Sequence, residues 1–148
     1  MRIDYRKMKK EDIPAVFLID QACFKHNWSS DSYKKEMDNI LATYLVALDK
    51  GVIIGFSGYW LIVDEAHITN IAVLKAYRKK GVGQALLDRM SEMARALGCD
   101  KMTLEVREDN YPAISFYEKN DFVTEGVRLH YYGKDSHALI MWRRTYEN

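Results

Sequence analysis

Cysteine is scarce in this chain, neither sign of charge dominates it, and no long apolar run interrupts it. Cys23 and Cys99 are the only cysteines in 148 residues. They are too few for a disulfide framework and lack metal-ligand spacing, so both are expected as buried thiols in a reducing cytosol. Lys and Arg number 22 against 21 Asp and Glu, a formal net charge of +1. With the charges mixed rather than blocked, a general nucleic-acid binder, a polybasic arm and an acidic tail are excluded. The amino-terminal residues Arg2, Asp4, Arg6 and Lys7 leave no apolar signal core, and no run approaches membrane-spanning length. A soluble, cytoplasmic protein without a membrane partner is expected. His67, His130 and His137 are scattered, and no metal is assigned.

What is there suffices for one sizeable core. At 48% hydrophobic, without repeat or linker, the chain is expected to form a single domain over residues 1–148. Alternation over Arg2 to Met8 predicts a strand, and a helix follows from near Glu11 with Ile13, Val16, Phe17 and Ile19 on its apolar face. Ser29 or Ser30 caps a second, more polar helix through Met37. Strand-forming residues fill Tyr44 to Leu48 and Val52 to Val63, with Asp49-Lys50-Gly51 as a hairpin turn between them. Asp64-Glu65 breaks the pattern before a strand over His67 to Leu74. Apolar residues at 82, 86, 90, 93 and 97 make one helical stripe that Gly98 ends. Lys101 to Arg107 alternates as a strand, Pro112 opens a helix to about Lys119, and two last strands flank Gly133-Lys134-Asp135. The order implies a mixed α/β fold: an antiparallel meander, a strand-helix-strand-helix unit contributing one parallel pair, and a closing hairpin. Trp60 and Trp142 are expected in the core.

Tyr77-Arg78-Lys79-Lys80-Gly81-Val82-Gly83-Gln84 lies between a strand and an amphipathic helix. Two glycines let backbone approach a phosphate, the first helical turn offers free N–H donors, and three cations precede them. No Lys-Ser or Lys-Thr follows Gly83, which excludes the Mg-nucleotide loop. Leu86 occupies the place of a dinucleotide fingerprint's third glycine. The remaining pattern, R-x-x-G-x-G opening a helix, resembles the coenzyme A signature of the GNAT family of N-acetyltransferases.

Further residues carry that resemblance over nearly the whole chain: Phe24, Trp28-Ser29, Asn70-Ile71-Ala72-Val73, Leu104-Glu105-Val106-Arg107, Asn110, Ala113, Tyr117, Asp121-Phe122, Tyr131-Tyr132, Asp135, Ala138 and Met141. Glu before Val-Arg is similar to the RimI type, which acetylates the amino-terminal alanine of a small-subunit ribosomal protein. The resemblance implies a GNAT-like fold, a mostly antiparallel sheet splayed at a parallel pair and flanked by about four helices. It implies acetyl-CoA as co-substrate, contacted by Ile71, Ala72, Val73, Arg78, Lys79, Lys80, Gly81, Val82, Gly83, Gln84, Asn110 and Tyr117. It implies a protein or peptide amino terminus as acceptor, bordered by Trp28, Tyr131 and Tyr132. Two departures bear on acceptor choice: Leu74-Lys75-Ala76 replaces acidic-Pro-x before Tyr77, and Asn27 replaces a proline before Trp28.

Acetyl transfer to an amine requires deprotonation of the amine, stabilisation of the carbonyl oxygen and protonation of the departing thiolate. Glu105 sits on the strand face opposite its two apolar neighbours. It reads either as the base, kept ionised by Arg107, or as half of a surface pair with Arg107. Tyr117 reads either as the acid that serves the thiolate or as a core tyrosine. Asn110 suits a helix cap, a pantetheine contact, or both. The oxyanion falls to a backbone N–H near Ala72 or Val73. Alternative readings are acetylation of a small amine, with Asp64 and Glu65 as an acidic lure, and an acetyl-CoA sensor without turnover. Monomer and homodimer both stay open.

Overall fold

The computed structural model describes residues 2–24 and 28–144. Its strands are β1 (Ile3–Lys7), β2 (Ala42–Asp49), β3 (Val52–Ile62), β4 (Glu65–Val73), β5 (Lys101–Arg107), β6 (Val123–Gly133) and β7 (Ser136–Arg144). They form one sheet in the order β1-β2-β3-β4-β5-β7-β6. Helices α1 (Ile13–Cys23), α2 (Ser30–Met37), α3 (Val82–Ala96) and α4 (Tyr111–Lys119) complete the fold, and none is long and apolar enough to cross a membrane.

Local chemistry sets most boundaries. Lys50 and Gly51 both adopt positive φ, at 50° and 81°, the backbone that a two-residue turn between twisted strands requires. Ser29 Oγ accepts the Ser32 N–H at 3.1 Å and caps α2. The first helix begins at Ile13 rather than near Glu11, because a 3-10 turn over Lys10–Asp12 precedes it. In that turn Arg6 bonds Asp12 at 2.7 Å and holds its carboxyl below the usual range.

Two apolar layers sandwich the sheet. On one face α3 buries Val82, Leu86, Leu87 and Met90 against Leu45, Ile54, Ala66, Met102, Leu104, Val106 and Met141, with Tyr117 of α4 closing the layer. On the other, Val16 and Ile19 of α1 and Tyr33 of α2 pack on Tyr44, Val46, Phe56 and Ala72.

Strand β4 changes faces midway. Gly58 pairs with Asn70 and Tyr59 with Ile68, so Thr69 is an extra residue in the ladder. Ala66 and Ile68 therefore face α3, whereas beyond the bulge Ala72 faces α1 while Ile71 and Val73 pack toward α3.

The sheet's one parallel ladder is short. β4 and β5 pair at Glu65↔Lys101, Ala66↔Met102 and His67↔Thr103, and then diverge. Everything beyond that point is a gap bounded by two strand edges.

Candidate active site

A cavity of about 1050 Å³ opens at this gap. Since Met102, Leu104 and Val106 belong to the α3-side layer, alternation sends Thr103, Glu105 and Arg107 to the α1–α2 side. There the cavity is walled by Asp20, Phe24, Trp28, Trp60, Asn70, Arg128, Tyr131, Tyr132, Ile140 and Trp142. Ile71, Leu104, Val106, Asn110, Ala113 and Tyr117 line it on the α3–α4 side. The cavity thus passes through the sheet. Trp60 and Trp142 are partly exposed in its wall instead of lying in the core, and Cys23 is a half-buried thiol at its border while Cys99 is buried.

Past the end of β4, the chain is pinned before it enters α3. The Leu74 N–H bonds the Ile54 carbonyl at 2.9 Å, and the Tyr77 hydroxyl bonds Asp49 at 2.6 Å. Lys79 and Gly81 take positive φ of 61° and 85°, a conformation that glycine adopts without strain. The first helical bond runs from the Ala85 N–H to the Gly81 carbonyl at 3.0 Å, so the Val82, Gly83 and Gln84 N–H groups precede the ladder. No side chain caps this end, whereas Ser29 caps α2 and Asn110 Oδ1 accepts the Ala113 N–H of α4 at 3.3 Å. A Cβ on Gly83 would meet nothing nearer than Phe116 at 3.8 Å, so the protein itself does not require glycine there. The open cradle, the uncapped helix and the exposed Lys79 and Lys80 suit a pyrophosphate.

Three of the expected contacts are qualified by burial and bonding. Arg78 turns back to bond the Val73 carbonyl at 2.9 Å and Cys23 Sγ at 3.5 Å, so its guanidinium is committed to the end of β4. The Val82 and Ala72 side chains are buried in the two core layers, which leaves only their backbone for a ligand. The Gln84 amide is held by Asn120 at 2.6 Å and Asp88 at 3.0 Å.

Glu105 meets a different cation from the one expected. Arg107 bonds Asp109 at 3.4 Å and Ser136 at 2.7 Å and lies over the Tyr132 ring. Arg128 of β6 takes its place, with Nη2 3.1 Å from Glu105 Oε1. Oε2 of Glu105 is buried without a hydrogen-bond partner. Tyr131 and Tyr132 stack edge to face at 4.8 Å above this carboxylate. Burial raises the pKa of both phenols, and the charge of Glu105 raises them further. Tyr117 is fully buried against Phe116 and Phe122. Burial pushes its phenol well above the usual value, with Tyr132 adding to the shift. No described residue hydrogen-bonds its hydroxyl.

Sequence reasoning missed Arg128, Asp20, Asn70, Trp60 and Trp142 as cavity residues. Asp20 accepts a short hydrogen bond from the Tyr33 hydroxyl, and burial raises its carboxyl pKa. Asn27 lies outside the described residues.

A fold with this splayed sheet and this uncapped helix belongs to a defined class. The model of the acetyltransferase (GNAT) family matches residues 13–122, and the chain belongs to that family as an acetyl-CoA-dependent N-acetyltransferase. It is similar to the putative ribosomal protein bS18-alanine N-acetyltransferase of Bacillus subtilis, at 38% identity over 141 residues, covering 93% of this chain and 92% of that protein. Among solved structures, Ard1 of Thermoplasma volcanium matches at a TM-score of 0.93 and 30% identity, covering 99% of this chain and all of that one (100%). The ribosomal-protein-alanine N-acetyltransferase of Escherichia coli matches at 0.89 and 26%, covering 99% and 97%.

Proposed function

We propose that this chain transfers the acetyl group of acetyl-CoA to the α-amino group of a protein amino terminus in the cytoplasm, through a direct ternary complex. The observation that carries the reading is the cavity through the sheet: a carboxylate and two tyrosines face one side, and the uncapped helix end lies on the other. Glu105 accepts the ammonium proton, directly or through water; an amino-terminal amine titrates near ~8, so the transfer needs no extreme carboxylate. The freed nitrogen attacks the thioester carbonyl, the C–N bond forms, and the C–S bond breaks.

Alternation selects the oxyanion donor. The Leu74 N–H points to β3, so the Val73 and Ile71 N–H groups point into the gap, as the Val73 carbonyl bonded by Arg78 does. Val73 N–H, rather than that of Ala72, is our donor to the developing oxyanion. Tyr117 keeps its proton because burial disfavours the phenolate, and it serves the leaving sulfur as hydrogen-bond donor. Full proton transfer to a thiolate of conjugate-acid pKa near ~8.5 completes only as solvent restores the phenol. Asn110 and the residues from Ile71 to Gln84 hold the coenzyme. Trp28, Tyr131 and Tyr132 border the peptide.

The acceptor follows from the names of the relatives: an amino-terminal alanine, with a ribosomal protein as its source. The acidic lure for a small amine is spent elsewhere. Asp64 bonds Lys101 and Glu65 bonds His67, and neither lines the cavity. Thiol release from acetyl-CoA with peptides differing at the first residue, beside spermidine and an aminoglycoside, tests the reading. Turnover with Ala-starting peptides is expected; turnover with small amines alone overturns the acceptor assignment, and coenzyme binding without any turnover identifies a sensor.

Gly83→Ala tests the phosphate cradle with opposite signs. The added methyl fits against Phe116 and Val73, at 3.8 and 4.0 Å, and replaces glycine in a helix, so stability rises by up to about 1 kcal/mol. It also intrudes on the pyrophosphate, so the KM for acetyl-CoA rises about 10-fold. A thermal melt and a coenzyme titration check both, and an unchanged KM removes Gly83 from the site.

A further inference from the structure

Glu105 is held by a strand that is not its neighbour. In the sheet order β5-β7-β6, about 10 Å separates β5 from β6, and Arg128 spans that distance across β7. The register explains how. Arg107, Ala138 and Arg128 share one row, and Glu105, Ile140 and Gly126 share the next row on that face. Ala138 is fully buried and small, and Gly126 has no side chain, so nothing on β7 or β6 blocks the guanidinium from slanting one row over to Oε1.

Arg128 is also anchored at its base and along its length. It is the last residue of β6 paired with β7, at Ala138, before the ladder breaks and resumes at Gly133↔Ser136. His130 in the break has a φ of 58°, fixed by its N–H to His137 Nδ1 at 2.8 Å and by its ring against the Lys134 carbonyl. The guanidinium lies 5.0 Å from the Tyr131 ring centre, a cation–π contact that limits its rotamers. An ion pair this exposed contributes little to folding. Its consequence is orientation: one oxygen of Glu105 is occupied, and the other is buried without a partner.

We propose that Arg128 is a positioning residue for acetyl transfer, holding Oε1 of Glu105 so that Oε2 alone is left for the proton of the incoming amine or of a bridging water. The inference rests on Glu105 being the base. Arg107 does not share the task, because Asp109 and Ser136 occupy it.

Steady-state kinetics of the full chain with acetyl-CoA and an Ala-starting peptide test this in wild type, Arg128→Gln, Arg128→Lys, Glu105→Gln and the Arg128→Gln/Glu105→Gln pair. Arg128→Gln is expected to lower kcat about 10-fold with the KM for acetyl-CoA unchanged, since a displaced catalytic group loses rate rather than binding. Arg128→Lys restores most of kcat. In the pair, Arg128→Gln adds no further loss to Glu105→Gln, because its only route to the reaction is the carboxylate already removed. Losses that multiply in the pair overturn the proposal, as does a defect confined to peptide KM, which would make Arg128 a peptide contact. An unaltered rate in Arg128→Gln overturns it as well. Failure of the underlying reading looks different: Glu105→Gln itself would retain the wild-type rate, and the inference would fall with it. Melting temperatures of all variants within a few degrees of wild type exclude unfolding as the cause.

Discussion

Glu105→Gln is expected to lower kcat by about 10²–10³-fold at neutral pH while leaving acetyl-CoA affinity unchanged. A positioned base contributes roughly 10²–10⁴-fold, and the amide keeps the shape of the carboxylate while losing its ability to take a proton. The coenzyme cradle is built from residues 71–84, elements apart from β5, so binding should survive. The defect should also depend on pH. An amino-terminal amine loses its proton near ~8, so above that value the substrate arrives already neutral and a base matters less. The ratio of wild-type to variant rate is therefore expected to shrink as pH rises from about 7 to 9. A pH series of both enzymes measures it. A constant ratio across that range would mean that Glu105 acts by something other than proton acceptance.

Gly58→Ala is expected to destabilise the protein by about 3 kcal/mol and to lower Tm by roughly 6–12 °C, the scale for a chain of this size. An added Cβ would sit 2.3 Å from the Tyr44 ring, a distance no real contact tolerates, and Tyr44 is almost fully buried. Displacing the ring tears its hydroxyl from Glu36 at 2.8 Å and Thr69 at 3.1 Å. Glu36 also accepts the Trp60 indole N–H at 2.6 Å, so a buried carboxylate loses one of its donors. Activity should fall too, because Gly58 stands at the bulge that turns Ala72 toward α1 and Val73 toward the gap. Thermal melts and kcat would register the two effects together. A melt within about 2 °C of wild type would show that Tyr44 finds another place without cost.

Much of the fold was legible because its signals are local. The hairpin at Lys50-Gly51, the cap at Ser29, the stripe from Val82 to Ala94 and the crossover through α3 each follow from residues a few positions apart. The phosphate cradle was legible for the same reason. Strand alternation also placed Glu105 opposite its apolar neighbours. Its partner was not legible, since pairing Glu105 with Arg128 needs the order of three strands and the small residue at Ala138. Arg107 looked like the partner by spacing alone. The two tryptophans failed similarly: Trp60 and Trp142 sit on strands whose outward face meets a cavity, and hydrophobicity cannot distinguish a cavity wall from a core. The Thr69 bulge, which reverses the faces of β4, leaves no mark in the alternation of a strand buried on both sides.

Three ladder pairs hold β4 to β5, and that brevity makes the gap a seam in the mechanical sense. The N-terminal meander and the C-terminal hairpin meet there across few backbone hydrogen bonds, supplemented by α3 packing. A ligand seated between the two edges acts as a staple, and one present at about 100 times its dissociation constant adds roughly 2.7 kcal/mol to the folded state. Coenzyme supply would then set how long each molecule survives as well as how fast it works. A cell short of acetyl-CoA would hold fewer copies of this enzyme, each slower and each easier to unfold.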